Sequence, residues 1–133
     1  MDFCKEVLEK YNNDLFPQSL GIRITSLNPG SCQVEMVINE DMANFHGITH
    51  GGALFTLADT AFGLASNSRG PAVALQISIN YIAPSRKGQT LVATAREEHL
   101  TRSTGIYNVN VETKKGETVA LFRGVVYRLT NKS

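Results

Sequence analysis

The sequence predicts an α+β domain in which an antiparallel sheet of five to six strands wraps around one long central helix. Three observations carry that prediction. The stretch from His50 to Asn67, HGGALFTLADTAFGLASN, contains no proline and is apolar at helical spacing. The second half of the chain is almost entirely strand-like segments divided by short turns, and a hairpin of the same character precedes the helix. Helix, two strands, a long buried helix and four strands pack most simply as a sheet curled around that helix.

Taken in order, residues 3 to about 11 form a short amphipathic helix, with Phe3, Val7, Leu8 and Tyr11 on one side and Lys5, Glu6 and Glu9 elsewhere. Its role is packing, since it is too small for a helix-turn-helix DNA-binding module. Asn12, Asn13 and Pro17 mark a loop after it. The strands IRITSLN and CQVEMVI follow, joined as a hairpin through Asn28, Pro29 and Gly30. The polar segment from Glu40 to Thr49 reads as a loop delivered to the helix start, a place where loops often carry function.

In the central helix Leu54, Leu57, Ala58, Ala61, Leu64 and Ala65 make one stripe, and Phe55 and Phe62 widen it past half the circumference. Such a helix belongs in the middle of a domain. Strands are expected at about 72–82, 91–99, 105–113 and 118–129, with turns short enough for antiparallel neighbours. Leu75, Ile77, Ile79 and Tyr81 share one face of the first of these, opposite Gln76, Ser78 and Asn80. Val119 to Val126 is apolar on both faces apart from Arg123 and Gly124, which predicts that a second subunit covers its outer face.

With 133 residues and no repeat, linker or low-complexity tract, residues 1–133 read as a single domain. A formal net charge of +1 gives no support for a nucleic-acid or membrane partner. The N-terminus has charges throughout and lacks the apolar core of a secretory signal, and no run reaches membrane-spanning length, so the expected location is the cytoplasm. Cys4 and Cys32 are too few for a disulfide framework or a zinc site and read as buried, reduced thiols. His46 and His50 lie four apart without an evident third ligand, so no metal is expected. Ser66 and Ser68 have no partnering His motif, and no Walker-type or dinucleotide glycine motif occurs.

Asp59 is the anomaly of the central helix. It is the only acidic or basic charge in the stretch, and a carboxylate left in a dry core without partners costs several kcal/mol. Gly51 and Gly52 supply a second clue, because glycine lets a ligand approach the backbone just where the first N–H groups of a helix have no internal partner. A ligand oxygen gaining negative charge suits that end. The two features are eight residues apart, roughly 12 Å along a helix. One carbonyl polarised by the Gly51 amide and attacked with help from Asp59 therefore requires the two groups to come from different chains across a two-fold axis.

The run Asn44-Phe-His-Gly-Ile-Thr-His50-Gly51-Gly52 followed by Leu57-Ala-Asp59-Thr60-Ala61-Phe62-Gly63, with Tyr81-Ile-Ala-Pro84, Gly88 and Ala120-Leu-Phe-Arg123-Gly124, resembles the hotdog-fold acyl-CoA thioesterases of the phenylacetic acid degradation (PaaI-type) group. The resemblance covers nearly the whole chain. It implies that Asp59 acts on the thioester as general base or nucleophile and that Gly51 donates its N–H to the thioester oxygen. His50 and Asn44 line the site. Gly52 and Thr60, within the same motifs, are expected to contact substrate. It also implies active sites at homodimer interfaces and dimers paired into tetramers. The acyl group stays open between aromatic, phenylacetyl-CoA-like substrates and other acyl chains. No cofactor is expected beyond the CoA of the substrate.

Blander roles stand beside these. His50 could merely shape the turn, Asn44 could cap its loop, and Phe55 and Phe62 could be core, acyl pocket or both. Arg86 and Lys87, in PSRKG, are the basic loop residues best placed for the CoA phosphates, or else a solvated turn. A non-catalytic acyl-CoA-binding sensor is the alternative function, but it requires a DNA-binding appendage that the residues before the first strand do not accommodate. A hydratase reading places its catalytic His and acid in a different sequence setting.

Overall fold

The computed structural model describes residues 2–129. In chain order these form helices α1 (Phe3–Tyr11) and α2 (Leu15–Ser19), strands β1 (Arg23–Asn28) and β2 (Ser31–Val37), a 3₁₀ turn (Glu40–Met42), and helix α3 (Gly51–Asn67). Strands β3 (Ala72–Tyr81), β4 (Thr90–Leu100), β5 (Thr104–Thr113) and β6 (Thr118–Arg128) complete them. The six strands make one antiparallel sheet in the order β1-β2-β4-β5-β6-β3, with β1 and β3 at its edges.

Helix α3 packs against all six strands. Its stripe of Leu54, Leu57, Ala58, Ala61, Leu64 and Ala65 is buried as expected, facing Val34 and Met36 of β2, Leu91, Ala93 and Ala95 of β4, and Tyr107, Val109 and Val111 of β5. Ala58 and Ala61 of the helix and Ala93 and Ala95 of β4 are all fully buried, and such small residues let helix and sheet approach closely. Both ends of α3 are tied down. Thr49, just before it, donates through its N–H and its hydroxyl to the Ser85 carbonyl, at 2.9 Å each. Just after it, the Ser68 hydroxyl accepts the Gly30 N–H at 2.8 Å.

Four expectations need correction. Residues 15–19 form helix α2 rather than loop, because Pro17 sits in the first turn, where its missing N–H would have had no helical partner. The 40–49 segment is not all loop: it begins with the 3₁₀ turn and closes through an Ala43–Thr49 bridge. In β3 a bulge between Ala74 and Gln76 takes Leu75 out of the ladder, leaving it 60 % exposed while Ile77 and Ile79 pack on the core. The outer face of β6 stays open to the expected second subunit, with Leu121 and Tyr127 exposed within one chain. Of the two cysteines, Cys32 is buried and Cys4 only partly so; both are free thiols.

Gly124 shows how tightly β6 meets the helix. A Cβ there would lie 2.5 Å from the Phe62 ring, which itself packs at a tilt against Phe122 and edge-on against Tyr107, with centroids 5.4 and 6.0 Å apart. Gly124→Ala must therefore displace a buried ring, and we expect a loss of about 1–3 kcal/mol in urea denaturation. An unchanged midpoint would show that the ring moves freely.

No helix among the described residues is long and apolar enough to cross a membrane.

Candidate active site

The start of α3 is organised by His50, its N-cap. The His50 carbonyl accepts from the N–H groups of Ala53 and Leu54 at 3.0 and 3.3 Å, and its Nδ1 accepts from Gly52 N–H at 3.0 Å. With Nδ1 as acceptor, the neutral ring carries its proton on Nε2. Among the described residues the Gly51 N–H meets no acceptor. One backbone donor at the positive end of a 17-residue helix is thus left for an external oxygen.

Tyr81, at the end of β3, packs on this position. Its hydroxyl donates to the Gly51 carbonyl at 3.2 Å, and its ring lies 3.2 Å from where a Cβ on residue 51 would stand. A side chain on residue 51 would have to push that ring aside by a few tenths of an ångström. His50, Gly52, Tyr81, Met42 and Phe16 line a cavity of about 630 Å³ at this end.

Asp59 faces a different cavity, of about 620 Å³, bounded by α1, α2, α3 and the start of β3. Its carboxylate is half-buried and has no hydrogen-bond or ion-pair partner among the described residues. Burial, and secondarily the Asp14 carboxylate, raise its proton affinity above the ordinary carboxylate value. The walls are mostly apolar, with Val7, Tyr11, Phe55, Phe62 and Ala74 among them, so Phe62 is core and pocket wall at once. Phe16, Phe55 and Thr56 border both cavities and stand between them. Within one chain the helix start, through His50 and Gly52, and the Asp59 acid therefore border different cavities.

The other expected site residues divide. Thr60 lines the Asp59 cavity, but its hydroxyl donates back to the Thr56 carbonyl at 2.6 Å. Asn44 takes the loop-capping role: its Oδ1 accepts from His46 N–H at 2.9 Å and Ile48 N–H at 3.3 Å, and it borders neither cavity. Arg86 and Lys87 are exposed, directly after Ser85, whose carbonyl holds Thr49 beside His50. Two positive charges are thus anchored near the helix start, although Lys87 also reaches Glu40 at 3.5 Å. Reading the sequence alone missed Tyr81, Phe16 and the Thr49–Ser85 clasp as parts of the site. Tyr81 stands in a strand motif, but nothing local announces that it meets a glycine 30 positions away.

The fold agrees with comparisons to known proteins. A thioesterase superfamily model matches residues 46–120, which include the helix start, Asp59 and the basic loop. The acyl-coenzyme A thioesterase PaaI of Escherichia coli K12 is 43 % identical over 120 residues, covering 90 % of this chain and 86 % of that protein. The structure of the E. coli PaaI protein from the phenylacetic acid degradation operon superposes with a TM-score of 0.90 at 38 % identity, covering 98 % of each chain. A hypothetical thioesterase from Streptococcus pneumoniae, solved with coenzyme A, matches with a TM-score of 0.83 at 27 % identity, over 92 % of this chain and 98 % of that one. The chain belongs to the thioesterase superfamily, with the hotdog fold and the thioester-hydrolase class of its PaaI relatives.

Proposed function

We propose that this protein hydrolyses an acyl-CoA thioester, of aromatic or medium-chain type such as phenylacetyl-CoA, to the free acid and CoA. The observation that carries the reading is the pair of unsatisfied groups on α3: a helix-start N–H with no acceptor and an acid with no partner. Thioester hydrolysis needs both. As water or carboxylate attacks, negative charge collects on the carbonyl oxygen, and a fixed backbone donor is worth about 3 kcal/mol there. Asp59 supplies the other half, as general base or as nucleophile, and its raised proton affinity makes it the stronger base. His50 and Asn44 position the helix start and the loop leading to it.

The minimal active unit is a homodimer, in which the Gly51 amide of one chain and Asp59 of the other flank one thioester. The separation of the two cavities by Phe16 and Phe55 supports this reading. The β3 edge, with Val73 and Leu75 exposed at 49 and 60 %, offers unpaired strand groups for a second copy. The exposed outer face of β6 would serve pairing of dimers into a tetramer. Gly52 and Thr60 line the substrate path, and Arg86 and Lys87 meet the CoA phosphates. CoA enters as part of the substrate, as the E. coli PaaI relative's name and the S. pneumoniae structure with coenzyme A suggest. The protein works in the cytoplasm.

Thiol release from phenylacetyl-CoA and from straight-chain acyl-CoA, followed with a thiol-reactive dye, tests the function. The expected result is turnover with a higher kcat/KM for the arylacetyl substrate. Binding of acyl-CoA without any thiol release would contradict hydrolysis.

A further inference from the structure

All eleven glycines lie within the described residues, and for all but one the chain itself supplies a reason. Six have a positive φ, and at Gly51, Gly52, Gly105 and Gly124 a Cβ would come within 2.5–3.3 Å of a neighbouring side chain. Gly63 is the exception. It stands in the interior of α3, its φ is not positive, and a Cβ built on it meets nothing within 4 Å. Glycine inside a helix costs stability relative to alanine, so the chain leaves empty a space that it could fill at a gain.

That space belongs to the Asp59 cavity, which Gly63 lines. Residues four apart share a helix face, so the bare stretch begins one turn beyond the acid, toward the C-terminal end of α3. Its backbone oxygen is already engaged. The Gly63 carbonyl accepts from Asn67 Nδ2 at 2.9 Å and from the Ser66 hydroxyl at 3.2 Å. Tyr11, Phe55 and Phe62 give the same cavity aromatic walls, against which a further ring packs offset or edge-on.

We propose that Gly63 is a specificity-determining residue, its missing side chain leaving the seat for the ring of an arylacyl group whose thioester carbonyl lies at Asp59. The inference rests on the acyl-CoA reading of this cavity and adds to it a direction and a limit. The acyl group runs along α3 from residue 59 toward residue 67, and the depth over Gly63 sets the bulk that is accepted. The competing occupant is a helix from a second copy seated on the bare backbone. The observations favour the acyl group, because a helix packed there would fill the cavity in which Asp59 has to meet substrate.

The test uses Gly63→Ala and Gly63→Leu in the full chain. Three quantities are measured: the thermal midpoint, kcat/KM for phenylacetyl-CoA relative to acetyl-CoA, and affinity for a phenylacetyl-CoA analogue with a methylene between sulfur and carbonyl, relative to CoA. Gly63→Ala is expected to melt no lower than the natural protein, since its methyl enters open space and favours the helix. In Gly63→Leu both ratios should fall by about tenfold or more, the scale on which apolar pockets discriminate by size. Gly63→Ala should lower both by a few-fold, so the test survives a leucine variant that fails to fold. Ratios unchanged in the folded variants, or a lower midpoint in Gly63→Ala, would overturn the inference, and a shifted dimer–monomer balance with unchanged ratios would assign the space to a second copy. A binding ratio that falls although the natural protein releases no thiol from either ester would keep the acyl seat and remove hydrolysis instead.

Discussion

Asp59→Asn is expected to lower kcat/KM by about 10³-fold, with the oligomer intact and the thermal midpoint raised. The loss follows from removing the acid without changing its shape. The gain in stability follows from linkage. Folding places the carboxylate where burial, then Asp14, raise its proton affinity above the ordinary value of 3.8. The folded chain then holds a proton more tightly than the unfolded chain in the window from 3.8 up to the raised folded value. The stability this group contributes is complete below that window and is lost as pH rises through it. The amide has no such window. The difference in midpoint between Asp59→Asn and the natural protein should therefore be small at acid pH and grow toward neutrality, as calorimetry at several pH values can show. A variant that is inactive but also less stable at neutral pH would mean that Asp59 holds the fold together rather than straining it. If Asp59 is the proposed base, an unpartnered acid in the central helix trades stability for activity.

The second large effect is expected at Gly51. Proline there deletes the N–H and nothing else that the helix needs, since the first helical position tolerates proline and His50, at φ −62° and ψ 137°, already has the extended backbone that precedes one. Added atoms would meet the Tyr81 ring at 3.2 Å, so Gly51→Ala, which keeps the N–H and meets the same ring, is the control. We expect Gly51→Pro to lose about 10²–10³-fold in kcat beyond the alanine variant. Equal losses in the two would assign the effect to crowding against Tyr81 and leave the amide without a role.

The architecture was legible wherever local pattern and tertiary packing agree. The buried stripe of α3, the hairpin at Asn28-Pro29-Gly30 and the four later strands follow from periodicity and turn chemistry, and their bounds shift by only a residue or so. Helix α2 was hidden because Asn12, Asn13 and Pro17 are all loop signals, although a proline inside the first turn costs a helix nothing. The bulge at Leu75 was hidden because strict alternation continues through it in the sequence while the pairing skips a residue. At the site, Asp59 and the two glycines stood out as locally wasteful choices, an acid in grease and flexible residues at a helix start. Tyr81, Ser85 and Phe16 are locally ordinary. Their part in the site comes from where β3, the loop after it and α2 are folded to, and a single chain's sequence carries no mark of that.

Mixing the two inactive variants tests most directly the claim that each site takes its amide from one chain and its acid from the other. Asp59→Asn and Gly51→Pro proteins, unfolded together at equal concentration and refolded, give mixed dimers in which one of the two sites has an intact acid and an intact amide. Half of randomly assorted dimers are mixed, so the account predicts recovery of roughly one quarter of the natural activity from two inactive parents. If both groups served the same thioester within one chain, every site would lack one of them, and the mixture would stay as inactive as its parents.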